Sequence, residues 1–188
     1  MSNLAYKSER EDYEIINGKV YMMARPSVKH WRISHNIVDL FDKYLKGKTC
    51  QAFGEVDVFL SDDDNFIPDA MIVCNPDIVE EKGIYGVPDL VVEILSKSTA
   101  VKDKMDKFIA YEKYGVKEYW IVDPFIKSVE VYHLIDGRFV RNNVYQLYTE
   151  EEFNDLTYEQ KSLAKSEIKV SLYDDFYVNI NDVFERVK

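Results

Sequence analysis

The hydrophobic and polar positions of this chain switch repeatedly between a two-residue and a helical period, a pattern that predicts a mixed α/β fold. Two short β-prone runs, Tyr13 to Ile16 and Lys19 to Met23, flank Asn17-Gly18, the pairing expected of a tight hairpin. From Ser27, the apolar positions Ile33, Ile37, Leu40, Phe41, Tyr44 and Leu45 recur at helical spacing, and Gly47 supplies a stop. Gln51 to Leu60, with Phe53, Val56, Val58 and Leu60, predicts one strand, and Ser61 to Asn65 a turn. Ile67 to Cys74 predicts a short strand, and Val79 to Val87 a polar loop.

The run Asp89 to Leu95 (DLVVEIL) is the most β-like of the chain, and its unbroken apolar character predicts a central strand covered on both faces. Ser98-Thr99 offers N-caps for a helix through Tyr114, with Gly115 as its stop. Glu118 to Asp123 then predicts a strand ended by Pro124, so Asp89 to Val122 reads as a strand–helix–strand crossover. Ser128 to Ile135 and Arg138 to Tyr148 predict a second hairpin around Asp136-Gly137. Glu150 to Ala164 is weakly periodic and reads as loop; Ile168 to Tyr173 predicts a last strand and Val178 to Val187 a terminal helix.

Composition adds bounds. A chain of 188 residues, 46% hydrophobic and 14% aromatic, suits one domain with a packed core at about residues 11–148 and a C-terminal extension, 149–188. No apolar run approaches the roughly 18 residues of a membrane helix, and the opening MSNLAYKSER reads as no signal peptide. Cys50 and Cys74 have no metal-type spacing and are expected as two buried thiols in a reducing cytoplasm. The net charge of −10 argues against avid, non-specific binding of nucleic acid. It leaves room for a metal site, which is itself acidic until its ion arrives.

Glu93 is the chemical anomaly: a carboxylate within Leu90-Val91-Val92-Glu93-Ile94-Leu95 needs a metal, a cationic partner or an exposed edge. Asp69, behind Pro68, stands at the start of the neighbouring predicted strand. Lys107 follows Glu93 by 14 residues, on a helix whose packed face is Met105, Phe108, Ile109 and Tyr111; it can sit at the border of that face or in its solvated charge. Glu14 reads as an exposed strand residue or a third carboxylate, and His30, at a helix start, as structural or as a proton-transfer or phosphate-contacting group. Glu55 and Asp57 alternate with Val56 and Val58 and so share a strand face; Asp89 and Ser96 read as strand-end and capping groups.

Taken together, Ile67-Pro68-Asp69, then Val87-Pro88-Asp89-Leu90-Val91-Val92-Glu93-Ile94-Leu95-Ser96, then Asp103-x-x-x-Lys107-x-x-x-Tyr111-x-x-x-Gly115-Val116-x-Glu118-Tyr119-Trp120-Ile121-Val122-Asp123-Pro124 resemble the Uma-type endonucleases. That family belongs to the PD-(D/E)xK restriction-endonuclease-like superfamily. The hairpin segment Gly18 to Met23 and His30 also match, over about residues 11–135, and Ile168 to Phe184 looks like the family's closing segment. The resemblance implies a mixed β-sheet flanked by helices, with N-terminal and C-terminal hairpins. It implies that Asp69 and Glu93 ligate Mg²⁺ or Mn²⁺ together with a backbone carbonyl near Ile94, the metal lowering the pKa of a bound water.

The superfamily's lysine usually falls two residues after the Glu, where this chain has Leu95. Lys107 then becomes the lysine that orients the nucleophile or stabilises the phosphate. DNA as substrate and a homodimer follow from the resemblance, with Lys29, Arg32, Lys97, Lys102 and Lys104 as a phosphate-facing patch. The aromatic strands near Tyr132, Phe139, Tyr145 and Tyr148 are candidates for a dimer interface. Two alternatives remain open: a non-cleaving binding or regulatory member of the fold, and a metal phosphoesterase with a different substrate.

Overall fold

The structure, a computed structural model, describes residues 13–96 and 102–187, and 102–104 by their backbone alone. Strands β1 (Tyr13–Ile16) and β2 (Lys19–Met22) pair around Asn17 (φ 51°) and Gly18 (φ 72°), both left-handed as the tight turn demands. Helix α1 (Val28–Leu45) begins where Ser27 accepts a hydrogen bond from the His30 amide, and Ile33, Ile37, Phe41 and Leu45 form its buried stripe.

The single strand expected over Gln51 to Leu60 is instead two strands in different sheets: β3 (Gln51–Phe53) and β4 (Val58–Ser61). The chain crosses between them at Gly54-Glu55. A Cβ on Gly54 would stand 2.9 Å from Val38 Cγ2 and 3.1 Å from the Asp69 carbonyl, and Glu55 has φ 55°. Glu55 and Asp57 therefore lie in the connection rather than on one strand face, and Glu55 is exposed. The expected turn Ser61 to Asn65 shortens to Asp62-Asp63, because β5 (Asp64–Phe66) pairs back on β4.

Next come β6 (Ala70–Val73), and β7 (Val79–Glu80) with β8 (Gly83–Ile84), a small hairpin where a loop was expected. Strand β9 (Leu90–Ile94), helix α2 (Lys102–Tyr114) and β10 (Glu118–Asp123) form the crossover; β9 and β10 are parallel, and Gly115 (φ 88°) ends α2. The N-caps expected at Ser98-Thr99 lie outside the described residues. Strands β11 (Ser128–Ile135) and β12 (Arg138–Gln146) make the second hairpin around Asp136-Gly137.

Glu150 to Ala164 is not loop. Capping boxes at Thr149 and Thr157 start two short helices, α3 (Glu150–Asp155) and α4 (Tyr158–Leu163). The strand expected over Ile168 to Tyr173 is shorter, β13 (Glu167–Lys169), paired with β14 (Tyr177–Asn179). The terminal helix shrinks to α5 (Ile180–Val183).

The site is positioned by a six-stranded mixed sheet in the order β12-β11-β10-β9-β6-β3. One face packs Ile72, Leu90, Val92, Trp120 and Val122 against α1 and the C-terminal segment, which contributes Ile168, Phe176, Val178 and Val183. The other packs Met71, Val91, Tyr119 and Ile121 against Ala110 and Tyr111 of α2, and against Ile16, Val58, Phe66 and Ile84 of a second six-stranded sheet, β2-β1-β5-β4-β8-β7. Both faces being covered, β9 is apolar throughout except at Glu93. Buried Glu118 ties the C-terminal segment down, accepting from Trp120 Nε1 and the Ser171 amide, each at 2.6 Å.

Two further expectations change. Cys50 and Cys74 extend the β3–β6 register by one residue and form a disulfide rather than two thiols. Of the aromatics proposed for an interface, Tyr145 is buried in the core. Tyr132 and Phe139 are partly buried against the ring of Phe108, and Tyr148 lies beside Phe153. Among the described residues, no helix is long and apolar enough to cross a membrane.

Candidate active site

Asp69 and Glu93 are brought together by strand pairing. Ala70 is opposite Val92 across β6 and β9, so Asp69, which immediately precedes β6, falls beside Glu93 on the face that α2 covers. Gly54 lets the crossing backbone pass tightly behind Asp69, whose carbonyl accepts from Ser34 Oγ at 2.7 Å. The carboxylate is held at both oxygens: Oδ1 is 2.6 Å from His30 Nε2 and Oδ2 accepts the Ile94 amide at 2.6 Å. Ile94 thus enters the site through its amide.

Helix α2 brings Lys107 over Glu93. Lys107 Nζ donates to both Glu93 oxygens at 3.1 Å and lies 2.7 Å from Glu14 Oε1. Glu14 is 6% exposed and also accepts the Ile67 amide at 2.9 Å, so it is a buried member of the cluster and not an exposed strand residue. Tyr111, one turn after Lys107, donates its hydroxyl to Glu93 Oε1 at 2.8 Å, its ring fully buried against Phe66 and Tyr119. Sequence patterning alone reads Tyr111 as packing, and its contact with Glu93 appears only in the fold. The signal was its four-residue spacing from Lys107, which puts both on one helix face.

The remaining sequence candidates fall elsewhere. Asp89 joins strand ends, accepting from the Cys74 amide and from Lys117 Nζ, each at 2.7 Å. Lys29 and Arg32 flank His30 on α1, with Arg32 Cζ 5.1 Å from the centre of the Trp31 ring. Lys97 lies outside the described residues, as do the side chains of Lys102 and Lys104.

Three carboxylates, Glu14, Asp69 and Glu93, thus face one ammonium and one imidazole. Burial pushes the Glu93 carboxyl up to about 8; Lys107 pulls against this, while Asp69 and Glu14 push the same way. Burial works against the Lys107 charge, yet Glu93 and Glu14 outweigh it and hold the ammonium above its ordinary value. For His30, burial lowers the imidazole but the Asp69 hydrogen bond and charge raise it overall.

Such an excess of buried acid is relieved by a cation, and an all-oxygen carboxylate set suits hard ions such as Mg²⁺ or Mn²⁺. Among the described residues, no three His, Cys, Asp or Glu side chains already stand in a coordinating arrangement. The carboxylate oxygens are turned instead onto the protein's own donors.

A profile of the Uma2 family, described as "Putative restriction endonuclease", matches residues 2–170. The chain belongs to the Uma2 family. Two uncharacterized Synechocystis sp. (strain PCC 6803) proteins are similar to it. One, slr1290, is 29% identical over 131 residues, spanning 68% of this chain and 69% of that protein. The other, sll1609, is 27% identical over 133 residues, spanning 68% and 75%. A crystal structure from Anabaena variabilis, described as "a putative nuclease belonging to DUF820", superposes with a TM-score of 0.69 at 22% identity. It covers 93% of this chain and 90% of that one, a likeness of fold. The mixed sheets flanked by helices, expected from the motifs, are thus a fold shared with that structure.

Proposed function

We propose that this Uma2 chain is a Mg²⁺- or Mn²⁺-dependent endonuclease hydrolysing DNA phosphodiester bonds. The observation that carries the reading is the placement of Asp69 beside Glu93, one residue beyond the Ala70–Val92 pair, with the Lys107 ammonium on Glu93. Asp69, Glu93 and the Ile94 carbonyl would hold the metal, which when bound supplies an acidified water and charge stabilisation at the phosphate.

The chain's own groups have separate tasks. Lys107, kept charged by Glu93 and Glu14, offers a fixed cation to the phosphate. His30 fixes the Asp69 rotamer through Oδ1 and carries a proton that it can pass at Nε2. Glu14 and Tyr111 position Lys107 and Glu93. A homodimer would supply one site per strand of a duplex.

A second reading, a binding or regulatory member without cleavage, is favoured by one observation: Asp69 and Glu93 are fully engaged by protein donors. The deciding assay is cleavage of plasmid and short oligonucleotides with Mg²⁺ or Mn²⁺ by the wild type, Asp69→Ala and Lys107→Ala. The endonuclease reading expects metal-dependent cleavage lost in Asp69→Ala. Metal binding by calorimetry with no cleavage of any nucleic acid would replace it with the second reading.

A further inference from the structure

Strand pairing lays one row of residues across the α2-covered face of the sheet. Glu93 is opposite Ile121, Ile121 opposite Glu130, and Glu130 opposite Val144, while Asp69 extends the row on the other side of Glu93. Among the described residues the face is incompletely covered over Ile121 and Glu130, leaving a groove of about 240 Å³ lined by Met105, Phe108, Ile109, Ile121, Glu130 and Tyr132. Adjacent strands are about 4.8 Å apart. The groove floor therefore begins one strand from Glu93, and Glu130 stands two strands, about 10 Å, from it.

The walls are preformed. The Phe108 ring is fixed edge-on against Tyr132 (centroids 5.2 Å apart, 87°), Tyr119 and Phe139. Met105 and Ile109 form an open lip, 64% and 56% exposed. The polar group is the Glu130 carboxylate, and its two protein partners, Tyr132 OH at 2.7 Å and Arg141 at 3.9 Å, both approach Oε2. Among the described residues none contacts Oε1, which is left to accept from a ligand.

We propose that this groove is a nucleobase subsite: it takes an unstacked base carrying an exocyclic amino group, next to the phosphate handled at Asp69 and Glu93. The inference rests on the endonuclease reading and deepens it, naming unpaired nucleic acid as the substrate class. The chemistry selects the occupant. A carboxylate repels a phosphate, so the groove does not extend the backbone path. Apolar and aromatic walls suit a flat ring. An acceptor at Oε1 suits the amino group of cytosine, adenine or guanine, which thymine lacks. The offset of one to two strands matches the reach from a nucleotide's phosphate to its own or the next base. A base paired and stacked in a duplex cannot enter, so single strands or distorted sites are the substrates.

The test titrates full-length protein, without metal, into labelled oligodeoxycytidylate, oligodeoxyadenylate, oligothymidylate and a mixed duplex, following anisotropy. Ile109→Trp, which fills the groove, and Glu130→Gln are tested beside the wild type, with thermal midpoints confirming that both fold. Metal-dependent cleavage is measured in parallel. The cytosine and adenine strands are expected to bind about fivefold to tenfold more tightly than the thymine strand. Ile109→Trp erases binding of all three, and Glu130→Gln removes the preference.

Equal affinity for the three strands, indifference to Ile109→Trp, or tighter binding of the duplex overturns the subsite. The two readings fail separately. Cleavage that needs Asp69 but ignores both groove variants sinks the subsite and spares the nuclease. Selective base binding lost in Ile109→Trp, in a protein that cleaves nothing, does the reverse.

Discussion

Lys107 Nζ lies 3.1 Å from both carboxylate oxygens of Glu93, a residue on the central strand 14 positions earlier, and the two are nearly closed off from solvent. Each makes the other's burial tolerable, since an unpartnered charge in this core would cost several kcal/mol.

Lys107→Met therefore exposes the cost of the cluster. It leaves Glu14 and Glu93 facing each other without a cation, and should destabilise the protein by about 3–5 kcal/mol at pH 8 in urea denaturation. The loss should shrink at pH 5, where Glu93 takes up a proton, and adding Glu93→Gln should recover part of it. A variant as stable as the wild type at pH 8 would show that Lys107 does not compensate these carboxylates.

The raised Glu93 and His30 groups also set the sign of the pH dependence. Glu93 titrates near 4.5 when unfolded and at about 8 in the fold, so the folded protein binds the extra proton in between. Its contribution is complete below about pH 4.5 and is lost as the pH rises to about 8; His30, raised from 6.5, adds the same sign above that value. The melting temperature of metal-free protein should fall from pH 5 to pH 8, and Glu93→Gln should flatten the slope. Metal binding, which needs the unprotonated carboxylate, should strengthen over the same range.

Gly54→Ala tests how the backbone holds Asp69. The new methyl would meet Val38 Cγ2 at 2.9 Å and the Asp69 carbonyl at 3.1 Å, so either α1 or the Asp69 segment must shift. A stability loss of about 1–3 kcal/mol is expected, with Mg²⁺ affinity by calorimetry reduced more than in Gly47→Ala, whose Cβ would meet nothing within 4 Å and whose strain, from a left-handed φ of 79°, falls just past the end of α1. Unchanged affinity would separate the backbone crossing from the site.

The disulfide between Cys50 and Cys74 joins residues 24 positions apart and encloses β3, β4, β5, Asp69 and β6. Reduction, or Cys50→Ser with Cys74→Ser, should lower stability by about 3 kcal/mol, read as a drop in melting temperature. A midpoint unmoved by reductant would mean that the β3–β6 pairing needs no covalent tie.

Much of the framework was legible from local signals. The Asn17-Gly18 hairpin, α1 with its Ser27 cap and the β9–α2–β10 unit follow from turn chemistry, capping and periodicity, each encoded within a few residues. Glu93 announced itself as a charge in an apolar strand, whereas Lys107 could be singled out only through the family pattern. What stayed hidden depends on surfaces distant in sequence. The break at Gly54 is dictated by Val38 and Asp69, and the Cys50–Cys74 bond by a register that local alternation does not specify.

The clearest division lies within the candidate site. The sequence by itself determined that a buried carboxylate at Glu93 must have a partner, because desolvation makes an isolated charge untenable there. Only the tertiary structure decided that the partner is Lys107, shared with Glu14 from the first hairpin and braced by Tyr111. Those side chains meet because two sheets and α2 pack over one strand face, and the packing energy that selects this arrangement belongs to no single segment.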